Sequence, residues 1–248
     1  MLPKLEHPIF TIKVPSTEKS IKLRPMLVKE EKILLMAKEA ADVNSMILSI
    51  RQVVTNCLVN ADTNVDDLTT FDLDYIFIRL RANSIDSKVK VSFTDPEDVP
   101  VKKRDKEVQK TYDFEIDLNE VTVKFPEDKK TNMVIKIGDV SGLKLRYPTV
   151  KVYESQAIID AKSEEAANEL LIASAFESYF EGDKMYNLQD VTPTELSEFI
   201  ENLDIPTYNK VVEFHNSMPH VFYEIKFKNS KGTERVVTYN KLRDFFTF

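Results

Sequence analysis

Apolar and polar positions alternate over residues 9–14 and again over 21–24, the two-residue period of a half-buried strand. The Pro15-Ser16-Thr17 segment between them supplies a turn, so the N-terminus reads as a β-hairpin. Beyond Pro25 the period changes. Helices are predicted over 29–40 and 43–58, and in the second Met46, Ile47, Ile50, Val53, Val54, Cys57 and Leu58 recur at three- and four-residue spacing. A third helix is predicted over 72–84, with Leu73, Ile76, Phe77 and Leu80 on one face. These elements form a small helical bundle capped by the hairpin.

The middle of the chain turns to strands, at 89–93, 112–117, 121–125, 133–137 and 143–147. A helix is predicted over 165–178, opened by Ser163 as its cap, and a short hairpin over 179–186 turns at Glu181-Gly182-Asp183. Thr192-Pro193-Thr194-Glu195 is a capping box with proline at the first helical position, and Leu196, Phe199, Ile200 and Leu203 follow as its buried face. Pro206 opens another helix that stops before Met218-Pro219. A hairpin over 220–228 and 233–239 precedes the closing Leu242-Arg243-Asp244-Phe245-Phe246-Thr247-Phe248. The fold class is α+β: N-terminal hairpin and helices, central antiparallel strands, then C-terminal helices with a β-hairpin and a short aromatic tail. A division near Lys151 gives units of 1–150 and 151–248.

Composition narrows the function more than the fold. With 248 residues and 42% apolar side chains the chain can bury a sizeable core. Only four glycines are present, Gly138, Gly142, Gly182 and Gly232, and no three cluster. Phosphate-cradling loops need such clusters, which excludes a Walker loop and a dinucleotide fingerprint. The formal net charge of −7 and a lone basic run at 102–107, broken by Asp105 and Glu107 and read as a solvated loop, argue against nucleic acid as partner. Neither a signal core nor an apolar run of membrane-spanning length is found, so a soluble protein with no membrane partner is expected. The single cysteine, Cys57, lies on the apolar stripe of the second helix and reads as a small buried hydrophobe suited to a reducing cytoplasm.

Candidate chemistry is sparse. His215 and His220 are separated by a helix end and Pro219, so they share no helical face, and Glu213 alone does not complete a metal site. His7 sits in a proline-flanked tail. Asp72 and Asp74 flank Leu73 at a helix start, where carboxylates serve capping and the helix dipole before acid–base work. Asp95, Glu97 and Asp98 lack the glycine and spaced ligands of a calcium loop and read as a solvated turn. No catalytic residue, cofactor site or metal site is assigned. The terminal Leu242, Phe245, Phe246 and Phe248 are interaction candidates: the tail either folds back on the adjacent hairpin or docks as an aromatic anchor in a partner pocket. Removing residues 245–248 is expected to weaken such a complex and leave the fold largely intact.

Four blocks resemble the baseplate hub assembly family of T4-like contractile-tailed bacteriophages. They are Leu2-Pro3-Lys4-Leu5 with Pro15-Ser16; Arg24-Pro25 with 27–32 and Leu34-Leu35; Asn56-Cys57 with 70–77 and Leu80-Arg81; and Phe214 with Met218-Pro219-His220, the hairpin and 242–246. Tyr147-Pro148 joins them. The resemblance implies a non-enzymatic, chaperone-like late protein that builds the central hub by transient binding to other hub proteins in the host cytoplasm. A permanent hub subunit in the virion tail is the alternative, and a hydrolase using Asp72, Asp74 or His215 a remote one. Some family members carry cysteine pairs in the strand hairpins, resembling zinc knuckles. The matching turns here are Thr94-Asp95-Pro96-Glu97 and Lys228-Asn229-Ser230-Lys231, so no metal is carried over.

Overall fold

A computed structural model describes residues 5–40, 43–59, 62–98, 101–103, 106–108, 110–127, 132–161 and 163–245. The architecture is α+β. β1 (Phe10–Lys13) and β2 (Ser20–Leu23) form the N-terminal hairpin, with Phe10 opposite Leu23 and Ile12 opposite Ile21. Ile12, Ile21 and Leu23 are buried while Thr11, Lys13 and Lys22 face out, so the two-residue period turns one face of the ribbon to the core. α1 (Val28–Ala40), α2 (Val43–Cys57) and α3 (Thr70–Ala82) follow. α3 begins two residues earlier than the apolar period suggests because Thr69 caps it. It is buried nearly all round, through Phe71, Leu73, Ile76, Phe77, Ile78 and Leu80, and forms the centre of the molecule.

The central strands do not make one sheet. β3 (Lys88–Thr94) pairs antiparallel with β6 (Thr111–Asp117), Val89 opposite Ile116 and Val91 opposite Phe114. Between them the basic segment expected as a loop carries a short ladder of β4 (Val101–Lys103) and β5 (Lys106–Val108). β7 (Thr122–Lys124) and β9 (Ser141–Arg146) leave this pair and find partners in the second half of the chain, while β8 (Asn132–Lys136) pairs with β9. A four-stranded antiparallel sheet runs in the order β11-β10-β9-β8, where β10 is Phe176–Glu181 and β11 is Lys184–Asn187. A three-stranded sheet runs β13-β12-β7, with β12 spanning His220–Lys228 and β13 Glu234–Tyr239. α4 (Gln156–Ile159), α5 (Glu164–Ala173), α6 (Pro193–Glu201) and α7 (Ile205–Asn216) supply the remaining α-helices among the described residues.

The helix over 165–178 departs furthest from expectation. The helix predicted to reach Ser178 ends at Ala173, and residues from Phe176 onward are strand. The β9–β10 ladder shifts register between Phe176 and Ser178. That bulge sets two residues of the second core, Phe176 and Tyr179, three apart, which in sequence mimics helical spacing.

Two buried clusters result. The first gathers the hairpin, α2, α3, Val89, Val91, Ile116, Leu118, Val150, Val221 and Phe245. The second gathers Ile135, Leu143 and Leu145 of the four-stranded sheet, Phe176, Ile172, Val211 and Phe214, and it includes Phe71 of α3. α3 is therefore a wall shared by both. Lys151 lies in a 3-10 turn, Val150–Glu154, whose first residue is buried in the first cluster, and both clusters draw residues from either side of it.

Candidate functional site

The strand end that opens the helical region is closed by a buried ion pair. Arg24 follows β2, and its Nη1 donates to Pro25 O at 2.9 Å and Glu30 Oε2 at 3.3 Å, and lies 3.6 Å from Cys57 Sγ. Its Nη2 donates to Glu30 Oε1 at 2.9 Å and Asn56 O at 2.8 Å. The Glu30 carboxylate, wholly buried, also accepts from Leu27 N at 2.9 Å. One guanidinium thus ties the strand end, the first turn of α1 and the last turn of α2. Burial alone would raise the Glu30 carboxyl, but the Arg24 and Leu27 hydrogen bonds and the charges of Arg24 and Lys29 hold it below the ordinary value. Burial pushes the Cys57 thiol up to about 11, so it is a protonated core group and no nucleophile at neutral pH.

The two acids flanking Leu73 have separate fates. Asp72 completes a capping box with Thr69, and its carboxylate accepts from Thr69 Oγ1 at 2.6 Å, Ser16 N at 2.9 Å and Ser16 Oγ at 2.6 Å. It anchors the β1–β2 turn to α3. Asp74 is partly buried, and burial pushes its carboxyl up to about 7. Tyr153 lies near it: burial first, then the Asp74 charge, raise that phenol to about 12.

His215 is buried in the last turn of α7, its Nδ1 without a hydrogen-bond partner, and burial lowers its imidazole below the ordinary value. His220 starts β12, with its Nδ1 3.3 Å from Met218 O. Among the described residues no three His, Cys, Asp or Glu stand together as metal ligands would.

The turn at Asp95–Asp98, expected to be solvated, is a buried tie. Asp95 and Asp98 are 1% and 4% exposed. Asp95 accepts from Asn229 Nδ2 at 3.1 Å and Arg235 Nε at 2.6 Å, and Asp98 accepts from Ser230 N at 3.1 Å. Arg235 also pairs with Glu97 at 2.5 Å. Its hydrogen bond is the main cause holding the Asp95 carboxyl down at about 2. The turns at 94–97 and 228–231, matched above to hairpins of one family, thus meet in space through side chains. Sequence reading missed Arg235 because nothing local marks a partner 140 residues away.

Of the tail residues, Phe245 is wholly buried in the first cluster, its ring 6.3 Å from Tyr239 and its carbonyl accepting from Arg81 Nη1 at 2.8 Å. Leu242 packs partly buried against the same cluster. Phe246 and Phe248 lie outside the described residues. Removing 245–248 would therefore take a core ring with it, against the expectation of an intact fold. A last tie is aromatic: Tyr147 stacks on Phe214 at 4.7 Å and 6°, and meets Phe71 edge-on at 5.8 Å and 84°.

Arg24, Glu30, Cys57, Phe71, Asp72, Arg81, Tyr147, Phe214 and Phe245 all belong to the blocks or the Tyr147-Pro148 dipeptide that carry the resemblance. A family model described as T4 bacteriophage base plate protein matches residues 7–247. The chain belongs to the T4 baseplate protein family. The match runs from the N-terminal hairpin to the aromatic tail and so spans the residues of both buried clusters of this baseplate protein. No curated protein and no solved structure matches the chain. None of the helices among the described residues is long and apolar enough to cross a membrane.

Proposed function

We propose that this baseplate protein is a non-enzymatic assembly factor for the central hub of the phage tail, acting in the host cytoplasm by transient binding to other hub proteins. The observation that carries the reading is the use made of its reactive groups. Asp72, Asp95, Asp98, Glu30 and Cys57 are committed to caps, ion pairs and packing, and His215 is buried. A protein whose polar motifs maintain its own shape acts on others by presenting surface. Lowering an assembly barrier requires binding an intermediate more tightly than the finished state.

Quantitative mass spectrometry of purified particles beside infected-cell lysate tests this. Abundance in lysate with absence from particles is the expected result. A fixed stoichiometry in the particle makes the protein a permanent hub subunit and removes the chaperone role. Leu242, Phe245, Phe246 and Phe248 are proposed to border the hub-binding surface. A chain ending at Phe245 keeps the core ring and loses the last two phenylalanines, and its hub complex is expected to dissociate faster. An unchanged dissociation rate removes Phe246 and Phe248 from the interface.

A further inference from the structure

We propose that the open edge of β11 docks an extended, basic segment of a partner polypeptide as an added strand. The proposal deepens the reading of the chain as a baseplate protein that works by protein binding, and rests on it.

Geometry supplies the place. β11 ends the four-stranded sheet and pairs only with β10 among the described residues. Gly182, with φ 58°, makes the turn between them, and all four β11 residues are exposed. Leu188 N donates to Glu177 O at 3.0 Å. The alternation of an antiparallel ladder therefore turns the N–H and C=O of Met185 outward, away from β10. An open edge of this kind is a template for another strand.

Both faces beside the edge offer apolar contact. Met185 is 72% exposed and stands opposite Phe180, whose ring crosses Gly142. On the other face Tyr186, 47% exposed, stacks on Tyr179 at 6.0 Å, and Tyr179 meets Phe199 of α6 at 5.6 Å. Alternate side chains of an added strand would meet these two surfaces in turn.

Charge selects the occupant. Residues 176–204 hold eight acidic side chains and one lysine, Lys184, so this stretch alone carries a formal charge equal to the −7 of the whole chain. Glu177 pairs with Lys144 at 2.7 Å. The other seven, Glu181, Asp183, Asp190, Glu195, Glu198, Glu201 and Asp204, are exposed. A second copy of this edge, a nucleic acid or an anionic membrane would meet like charge. A lysine- or arginine-bearing strand meets complementary charge.

The probe is a synthetic peptide of alternating lysine and valine long enough to span β11, with a glutamate–valine peptide as its counterpart. Each is titrated into the ¹⁵N-labelled full chain. The lysine peptide is expected to bind at least about tenfold more tightly, to shift the Met185 and Asn187 amides, and to weaken with salt. Met185→Pro removes an edge donor that the ladder does not use, and should weaken binding about tenfold. Asp183→Lys with Asp190→Lys leaves the edge backbone intact and should do the same, which covers failure of the proline variant to fold. Equal binding of the two peptides, indifference to the charge-reversed variant, or displacement by single-stranded DNA or anionic vesicles overturns the proposal. Self-association lost in Met185→Pro overturns it too, since a second copy would then own the edge. If the peptide fails while the protein is still found in hub complexes, the edge assignment falls alone. If the peptide binds but no baseplate complex contains the protein, the baseplate role falls and the edge stands.

Discussion

At Arg24 a single side chain holds three elements, and the energetic consequence is asymmetric. Deleting one member of a buried pair strands the other charge without compensation, which costs about 3–5 kcal/mol, whereas replacing both by apolar groups is often nearly neutral. Arg24→Ala should therefore lower unfolding free energy in urea by that order. Arg24→Met with Glu30→Leu should recover much of it, and a single variant costing less than about 1 kcal/mol would deny the buried charge its role. Asp74 makes a prediction of opposite character. Its folded carboxyl is raised to about 7 while the unfolded one ionises near pH 4, so the folded chain binds the extra proton. Stability from this group is full below about pH 4 and is lost as pH rises through about 7. Asp74→Asn should abolish that decline, gaining on the wild type as pH rises to about 7 and holding that lead above it, in melting temperature measured from pH 5 to 8. A variant that tracks the wild type across the window would show the carboxyl to be freely solvated. Local sequence made Asp72 readable as a cap. Its second use, holding Ser16 from 56 residues away, is a contact no local pattern encodes.

Elements with strong local signals came through the sequence intact, and those defined by partners did not. Thr192 accepts from Glu195 N, and Thr192 N donates to Glu195 Oε2 at 2.8 Å, as the capping-box spacing implied. Only the start of β10, Phe176 to Ser178, falls in the helix that the sequence predicts, and it lies at the bulge where core-facing residues stand three apart. The rest of the strand falls in the predicted hairpin. The close packing of that sheet gives a test. A Cβ on Gly142 would stand 2.6 Å from Ile135 O and 2.7 Å from Phe180 Cζ, and the carbonyl cannot move without breaking the β8–β9 ladder. Gly142→Ala should destabilise the chain by about 1–3 kcal/mol in denaturant titration. Gly182→Ala has open space but a positive φ, so it should cost about 1 kcal/mol through backbone strain. A stabilised Gly142→Ala variant would mean that Phe180 and β8 are free to shift.

For the whole molecule, the connectivity of the sheets matters more than any one contact. β9 pairs with β10 and β7 with β12, and α3 serves both buried clusters. We propose that 1–150 and 151–248 unfold as one cooperative unit. Urea transitions followed by far-ultraviolet circular dichroism and by tyrosine fluorescence should coincide. Two separated transitions would instead give the division near Lys151 physical meaning as two folding units.

The α+β class, the approximate positions of most helices and strands, the caps at Ser163 and Thr192, and the family are all legible in the amino-acid order. Period, capping and turn chemistry act over a few residues, so they survive without a structure. It takes the packed chain to show that the five central strands predicted from the sequence disperse into three separate sheets and that the Asp95 turn is a buried ionic tie. The same packing makes Phe245 core and leaves β11 paired on one side only among the described residues. Each depends on which distant segment arrives beside a given residue, and arrival is settled by the packing of two cores around α3.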